Sequence, residues 1–200
     1  MWTLLFVLGC SAREPVPCAS MATCREAADQ AKAAGRATEA LHAAIQGCDL
    51  GDEDLCVRVA AMYLDVGAPL YDPEVSDLLY QLSCARKYAP ACKALAEHLA
   101  AIDKKLDAAT YFHKGCELGD QPLCVRSAAY AIEVQRKEVG LIALPDAVRG
   151  CELGDAPTCH AAITIAGGVG PPAGQELDAF TRTMLERACA AGETASCARP

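Results

Sequence analysis

The sequence predicts an all-α fold built from stacked helical hairpins, and three observations carry that prediction. Five cysteine pairs have members eight positions apart, and their first members recur after 36, 32, 35 and 38 residues, a period typical of helical repeats. Three pairs enclose the same Gly-Asp turn signal between alanine-rich segments. No segment alternates apolar and polar residues with β-branched enrichment, so a sheet is not expected.

The composition is poor in large apolar side chains. Of the 200 residues 52% are hydrophobic, but 40 are alanine and 13 are cysteine, and only 5% are aromatic. This balance favours helices that approach one another closely through small side chains. The net charge of −8 argues against a basic phosphate-binding surface, so nucleic acid is not expected as a partner.

The turn between paired cysteines is predicted to end one helix and start the next. Three glycines stand where a helix would end in the left-handed conformation: Gly51, Gly119 and Gly154. Three aspartates follow them as N-caps of the next helix: Asp52, Asp120 and Asp155. Two antiparallel helices joined so tightly place the two cysteines within the distance of a disulfide.

Disulfides and metal ligation compete as interpretations of the cysteine pairs. Structural zinc sites use C-x2-C or C-x4-C knuckles, and none separates these positions, so neither a metal nor a cofactor is expected. The expected disulfides are Cys18–Cys24, Cys48–Cys56, Cys84–Cys92, Cys116–Cys124, Cys151–Cys159 and Cys189–Cys197. Each closed loop of about nine residues should stabilise its hairpin by about 2.5 kcal/mol.

Predicted helices fill the segments between these turns. A capping box at Thr23 and Glu26 opens the first helix, and Asp72 with Pro73 opens the fourth. The ranges are about 23–35, 37–48, 53–66, 73–87, 90–102, 106–117, 121–138, 144–152, 156–166 and 175–191. The glycine-rich stretch 167–174 is expected to be a long loop.

One register position on the helices before the turns has two interpretations. Four residues before each first cysteine stand Ala44, Tyr80, Phe112, Ala147 and Leu185, which share a face with the cysteine one turn away. They form either a ligand-binding aromatic stripe or the core between repeats. The core is the favoured interpretation.

The N-terminal segment resembles the signal of a bacterial lipoprotein. An apolar stretch ends in Val7-Leu8-Gly9-Cys10, and in a lipobox a small residue precedes the cysteine that receives diacylglycerol. Cys10 is also the cysteine that the six pairs leave over. The resemblance implies a signal segment over 1–9, lipidation of Cys10 and a tether over 10–17. The competing interpretation is a buried N-terminal strand with an incidental cysteine.

This segment and the cysteine pairs together indicate the compartment. Disulfides require an oxidising environment, and a lipid anchor would place the protein in the bacterial cell envelope, on the periplasmic side of the outer membrane. Secretion is the alternative location.

The C-E-L-G-D-x-x-x-C motif, with the alanine-rich helix and the Met62 to Gly67 segment that follow it, resembles Sel1-like repeats of the Helicobacter cysteine-rich type. The resemblance covers about 45–197. It implies an α/α superhelical solenoid of helix-hairpin repeats with intra-repeat disulfides, forming one domain over 18–200. That domain would contain about five repeats, with the Cys18–Cys24 unit as N-terminal cap, and a concave face for protein or peptide partners.

The same resemblance implies penicillin binding or weak β-lactamase activity, but no catalytic residue can be assigned from the sequence. The serine β-lactamase set S-x-x-K, S-D-N and K-T-G is absent. The four histidines fall in different predicted helices without H-x-H or H-E-x-x-H spacing. His98 and His113 lie on consecutive predicted helices and could meet, although the favoured interpretation makes them surface residues.

Three functions remain open at this level. The leading hypothesis is an envelope-anchored scaffold that binds a protein or peptide partner. The alternatives are an enzyme of the penicillin-hydrolysing kind and a structural envelope lipoprotein.

Overall fold

The computed structural model describes residues 18–67 and 70–197 of the chain. Within these ranges the backbone forms eleven α-helices and no strand. They are α1 (Met21–Ala33), α2 (Ala37–Asp49), α3 (Glu53–Tyr63), α4 (Pro73–Ala85), α5 (Ala89–Ala101), α6 (Lys105–Glu117), α7 (Gln121–Val134), α8 (Lys137–Glu152), α9 (Ala156–Val169), α10 (Leu177–Ala190) and α11 (Thr194–Cys197).

The helices stack as five hairpins behind α1. Hairpin 1 is α2 with α3, and hairpins 2 to 5 follow in the same way up to α10 with α11. Consecutive helices pack against each other, and α6 also meets α8, α7 meets α9 and α8 meets α10. Even-numbered and odd-numbered helices therefore form two layers, which confirms the predicted α/α solenoid.

The turns inside hairpins 1, 3 and 4 are closed by backbone and side-chain capping. Gly51, for example, has φ +94°, and the carboxylate of Asp52 accepts a hydrogen bond of 3.3 Å from the Leu55 amide. The glycines at 119 and 154 have φ values of +89° and +88°. The aspartates that follow them, at 120 and 155, accept bonds of 3.1 and 3.0 Å from the amides three residues on.

Hairpin 2 makes the same turn without glycine or aspartate. Lys87 occupies the glycine position with φ +68°, a left-handed conformation that costs a residue with a Cβ about 1–2 kcal/mol. Tyr88 takes the N-cap position in an extended conformation and makes no side-chain capping bond. The disulfide and the packing of α4 on α5 therefore hold this turn against local strain.

All six expected disulfides are present, which confirms the pairing. Their Cα–Cα separations run from 4.6 to 5.1 Å. Each disulfide of hairpins 1 to 5 joins the last turn of an even-numbered helix to the first turn of the next odd-numbered helix.

Glycine beside the disulfide lets the two helices of a hairpin approach closely. In hairpin 3 a Cβ on Gly115 would clash with Leu123 Cδ1, and in hairpin 4 a Cβ on Gly150 would lie 2.8 Å from Thr158 Oγ1. Hairpin 1 repeats the arrangement with Gly47 and Leu55. In the other two hairpins both positions are small: Ser83 with Ala91, and Ala188 with Ser196.

The buried core falls into two clusters. The larger cluster runs from α3 to α10, whereas a smaller one joins α1, α2 and α3 around Cys24, Leu41 and Leu55. Alanine contributes many of the buried residues of the larger cluster, so helix backbones lie close together there.

Several predicted boundaries are wrong. The first helix begins earlier, because Ser20 is its N-cap and forms the capping box with Thr23. α3 ends at Tyr63 rather than near 66, and α7 ends at Val134 rather than near 138.

The largest errors concern α8 and α9. α8 begins at Lys137, not near 144, and continues through the internal Pro145, whose ring lies on the exposed side of the helix. α9 continues through Gly167 and Gly168 to Val169, because Ile165 and Ala166 are buried against the neighbouring helices.

The expected signal segment 1–9, the tether 10–17 and Cys10 lie outside the described residues. Among the helices of the described ranges, none has the length and apolar character needed to cross a membrane.

A candidate binding recess between the first three helices

Hairpins 1 to 4 each present two inward positions that face a shared space between three helices. One lies four residues before the first cysteine, on the even-numbered helix, and the other lies six residues after the second cysteine, on the odd-numbered helix. In hairpin 3 these are Phe112 and Tyr130, both buried, with ring centroids 5.3 Å apart at 56°. The guanidinium of Arg126 lies 5.2 and 5.5 Å from the two centroids. Aromatic rings and a cation therefore fill the space between α5, α6 and α7.

Hairpin 2 fills the equivalent space with a tyrosine and a polar pair. Tyr80 is buried, and burial, with Asp77 nearby, raises its pKa. Asp77 Oδ1 lies 3.4 Å from His98 Nε2. These two positions hold Ala109 and Tyr130 in hairpin 3, so the polar pair replaces an apolar one.

Hairpin 1 leaves the equivalent space open. The two inward positions are Ala44 and Met62, and a recess of about 420 Å³ lies between α1, α2 and α3. Its lining is mainly small or apolar and includes Ala28, Ala37, Ala40, Leu41, Ala44 and Met62. An apolar cavity of about 150 Å³ already holds a benzene ring, so this recess is large enough for a side chain.

Charged residues form the rim of this recess. Arg58 lies two residues after Cys56, at the register that Arg126 has in hairpin 3. Its guanidinium lies 2.5 Å from Asp29 Oδ1 and 3.0 Å from Asp54 Oδ2, so it is held by carboxylates of α1 and α3. Asp65 also lines the recess, at the register of Glu133, which pairs with Arg126 at 3.0 Å.

Hairpin 4 has a second, smaller recess of about 320 Å³ between α7, α8 and α9. Ala147 is the inward residue of α8, and Ile165 and Val169 of α9 form part of the wall. A Cβ on Gly140 would lie 2.8 Å from Val169 Cγ1, so this glycine lets Val169 approach α8 at the edge of the recess. The space between the inward positions is thus filled in hairpins 2 and 3 and open in hairpin 1, whereas the recess of hairpin 4 reaches Ile165 and is not lined by Ala147.

A buried polar network joins hairpins 3 and 4. Asp146 is 2% exposed; its carboxylate accepts a 2.5 Å bond from Ser127 Oγ and lies 2.8 Å from His113 Nδ1. Burial raises the pKa of Asp146, and the bonds to Ser127 and His113 oppose that increase. The carboxylate lies between the hydroxyl and the imidazole, so the histidine has no contact with the serine that it would have to activate.

His160, Glu193 and Ser196 form a second polar cluster at the C-terminal end. Ser196 Oγ donates to Glu193 at 2.7 Å, and His160 Nε2 contacts Glu193 and lies 3.1 Å from Ser196 Oγ. The bonds from Ser196 and then His160 lower the pKa of Glu193. Because one imidazole nitrogen faces both the carboxylate and the hydroxyl, the order of groups in a catalytic relay is not present.

The two histidines that could have met have different partners in the structure. His98 pairs with α4 and His113 with α8, and both are partly buried rather than fully solvated. Among residues 18–67 and 70–197, no group of three His, Cys, Asp or Glu side chains has the arrangement of a metal site.

Sequence reasoning identified Ala44 and Phe112 as equivalent but missed Arg58, Arg126 and Asp146. The two arginines had a signal, since Cys-Val-Arg occurs at 56–58 and again at 124–126. Asp146 had none, because nothing in its local sequence indicates an inward-facing carboxylate.

The chain matches no protein-family model, and no curated protein matches it. Solved structures do match. A Sel1 repeat protein from Oxalobacter formigenes superposes with a TM-score of 0.55 at 12% identity, over 88% of this chain and 75% of the other. The MamA protein superposes with a TM-score of 0.51 at 13% identity, over 90% of this chain and 96% of the other.

A third match is a protective antigen present in uropathogenic Escherichia coli strains, which displays an SLR fold. It has a TM-score of 0.50 at 19% identity, with 89% of this chain covering 40% of that longer one. Identities of 12 to 19% support the fold and nothing further. The chain is therefore a solenoid of helical hairpins with the fold of Sel1 repeat proteins.

Proposed function

We propose that this protein is an envelope-anchored repeat scaffold that binds a protein or peptide partner. The observation that supports the proposal best is the recess between α1, α2 and α3. It combines 420 Å³ of space, an apolar lining and a rim of fixed charges, which is the usual composition of a ligand site. Repeat solenoids commonly offer such extended surfaces to partners.

The proposed location is the bacterial envelope, reached by a signal over 1–9, lipidation of Cys10 and a tether over 10–17. Six disulfides in one domain favour an oxidising compartment. In this proposal the domain from 18 onward is one solenoid of the cysteine-rich Sel1-like type, and Cys10 is the cysteine that carries lipid.

Photo-cross-linking in cells of the native host tests the scaffold function. Met62→p-benzoylphenylalanine places the reactive group in the recess, and Lys93→p-benzoylphenylalanine places it on the exposed side of α5 as a matched control. We expect one reproducible adduct from position 62 that is absent from position 93. No adduct at 62, or the same adducts from both positions, would contradict the proposal and favour a structural lipoprotein.

Mass spectrometry of the mature protein tests the anchor separately. We expect the mature protein to begin with a diacylated Cys10. A Cys10→Ser variant should no longer be recovered in the membrane fraction. An unprocessed N-terminus in the native host would overturn the anchor and leave the recess unaffected.

The penicillin-hydrolase alternative has no supporting geometry in the described residues, because neither serine–histidine cluster has its groups in a catalytic order. Incubation of the oxidised protein with a fluorescent penicillin should leave the protein unlabelled. A covalent adduct on Ser127 or Ser196 would reverse this conclusion.

A further inference from the structure

Hairpins 1 and 3 are two copies of nearly the same unit. Residues 47–58 read G-C-D-L-G-D-E-D-L-C-V-R and residues 115–126 read G-C-E-L-G-D-Q-P-L-C-V-R. Their disulfides both have a Cα–Cα separation of 4.6 Å, and in both the glycine before the first cysteine faces a leucine. The backbone frame is therefore shared, and differences between the two copies lie in the side chains.

The two copies differ at the two inward positions. Hairpin 3 has Phe112 and Tyr130, whereas hairpin 1 has Ala44 and Met62. Ala44 lines the recess, is itself fully buried, and has the register of Phe112 in the other copy. The chain thus contains both an empty space and, two repeats away, the side chains that fill the equivalent space.

The cation that accompanies the rings is present in both copies. Arg126 lies over Phe112 and Tyr130, and Arg58 occupies the same register at the rim of the recess. The carboxylates of Asp29 and Asp54 hold the Arg58 guanidinium in place. A fixed guanidinium beside an apolar space favours an aromatic ring over an aliphatic chain of similar size, because only the ring offers a negative face to the cation.

We propose that the recess binds an aromatic side chain of the partner peptide, with its ring in the place of Phe112 and in contact with Arg58. This inference rests on the proposed scaffold function and specifies the chemistry of the partner. The partner supplies the ring because residues 10–17, C-S-A-R-E-P-V-P, contain no aromatic residue once the proposed signal has been removed. Trp2 and Phe6 of the unprocessed chain are the competing occupants.

Probe binding to the oxidised full-length chain, followed through the Met62 methyl resonance, tests the proposal. The probes are N-acetyl-phenylalaninamide and N-acetyl-leucinamide. We expect saturable shifts with both and about fivefold tighter binding of the phenylalanine probe, the factor that a cation–π contact of about 1 kcal/mol provides. Equal affinities, or tighter binding of the leucine probe, would overturn the aromatic assignment.

Three variants locate the effect. Ala44→Phe should fill the recess and abolish binding, whereas His42→Phe adds the same ring to the exposed side of α2 and should bind like the wild type. Arg58→Gln should reduce the preference for the phenylalanine probe towards equality while the leucine probe still binds. Binding that survives Ala44→Phe would refute the site, and an unchanged preference in Arg58→Gln would refute the role of the cation.

The remaining outcomes separate this inference from the proposed function. If the probe binds only after Trp2→Ala and Phe6→Ala, the chain's own segment occupies the recess and the partner assignment is wrong. If no probe binds but position 62 still cross-links a partner in cells, the scaffold function stands and the aromatic inference falls. If the probe binds and cross-linking fails, the site stands and the partner function falls.

Discussion

The contact between Gly115 and Leu123 predicts a large energetic coupling between the two helices of hairpin 3. A Cβ at position 115 would clash with Leu123 Cδ1 and lie 3.2 and 3.3 Å from Cγ and Cβ, so rotation of the terminal methyl alone gives no relief. In Gly115→Ala, overpacking should therefore lower the free energy of unfolding by about 1–3 kcal/mol. The higher helix propensity of alanine should offset about 1 kcal/mol of this loss. Leu123→Ala should cost about 2–5 kcal/mol, because Leu123 is 1% exposed.

The double variant should cost less than the sum of the single variants by at least about 1 kcal/mol. Its two alanines reproduce the small pair that hairpin 2 has at Ser83 and Ala91. Urea unfolding of the oxidised proteins, followed by circular dichroism, measures all three variants. Gly167→Ala is the control: no atom lies within 4 Å of its Cβ, so helix propensity should stabilise it by about 1 kcal/mol. Additivity within about 0.5 kcal/mol would refute the proposed contact.

Three further predictions follow from features outside the recess. Lys87→Gly should raise the free energy of unfolding by about 1 kcal/mol, because glycine adopts the left-handed φ of +68° without strain. Lys87→Ala removes the same charge but keeps a Cβ, so it should not be stabilised; thermal unfolding of both variants tests the difference. Asp146 has a folded pKa above its ordinary 3.8, so it stabilises the fold below that value and loses this contribution as pH rises through the folded pKa. Asp146→Asn should therefore gain stability relative to the wild type as pH rises above 3.8, and a difference that stays constant with pH would count against the buried carboxylate. Replacing both Cys116 and Cys124 by serine should lower the free energy of unfolding, measured in urea, by about 2.5 kcal/mol. An unchanged free energy would mean that the loop is already ordered in the unfolded chain.

The turns could be predicted because their determinants are local. Glycine with positive φ, an aspartate cap and two cysteines eight apart fall within ten residues, so no distant contact is needed to interpret them. The start of α8 could not be predicted in this way. Gly140 and Pro145 both argue against a helix locally, yet the glycine lets Val169 approach and the proline faces solvent, so tertiary packing overrides propensity.

The recess could be predicted only in part. The register that relates Ala44 to Phe112 is visible in the sequence. An alanine at such a core position, however, can either let a neighbouring helix pack closer or leave an empty space, and the sequence does not distinguish the two. Met62 on α3 and Ala28 on α1 complete the lining, and their positions depend on how three helices stack. The same holds for Asp146, whose partners come from two other helices.

The disulfides of hairpins 1 to 5 all lie along one edge of the solenoid. The turns at this edge are covalently constrained, whereas the connections at the opposite edge are not. Every disulfide-closed turn has the same length, so the differences among the repeat periods of 36, 32, 35 and 38 residues arise between one disulfide and the next. Those intervals run to the opposite edge, where the Gly170–Glu176 connection joins α9 to α10. Insertions there would lengthen a repeat without changing the register of the cysteines. The opposite edge is thus the place where new loops can be grafted beside the recess while the covalent frame stays unchanged.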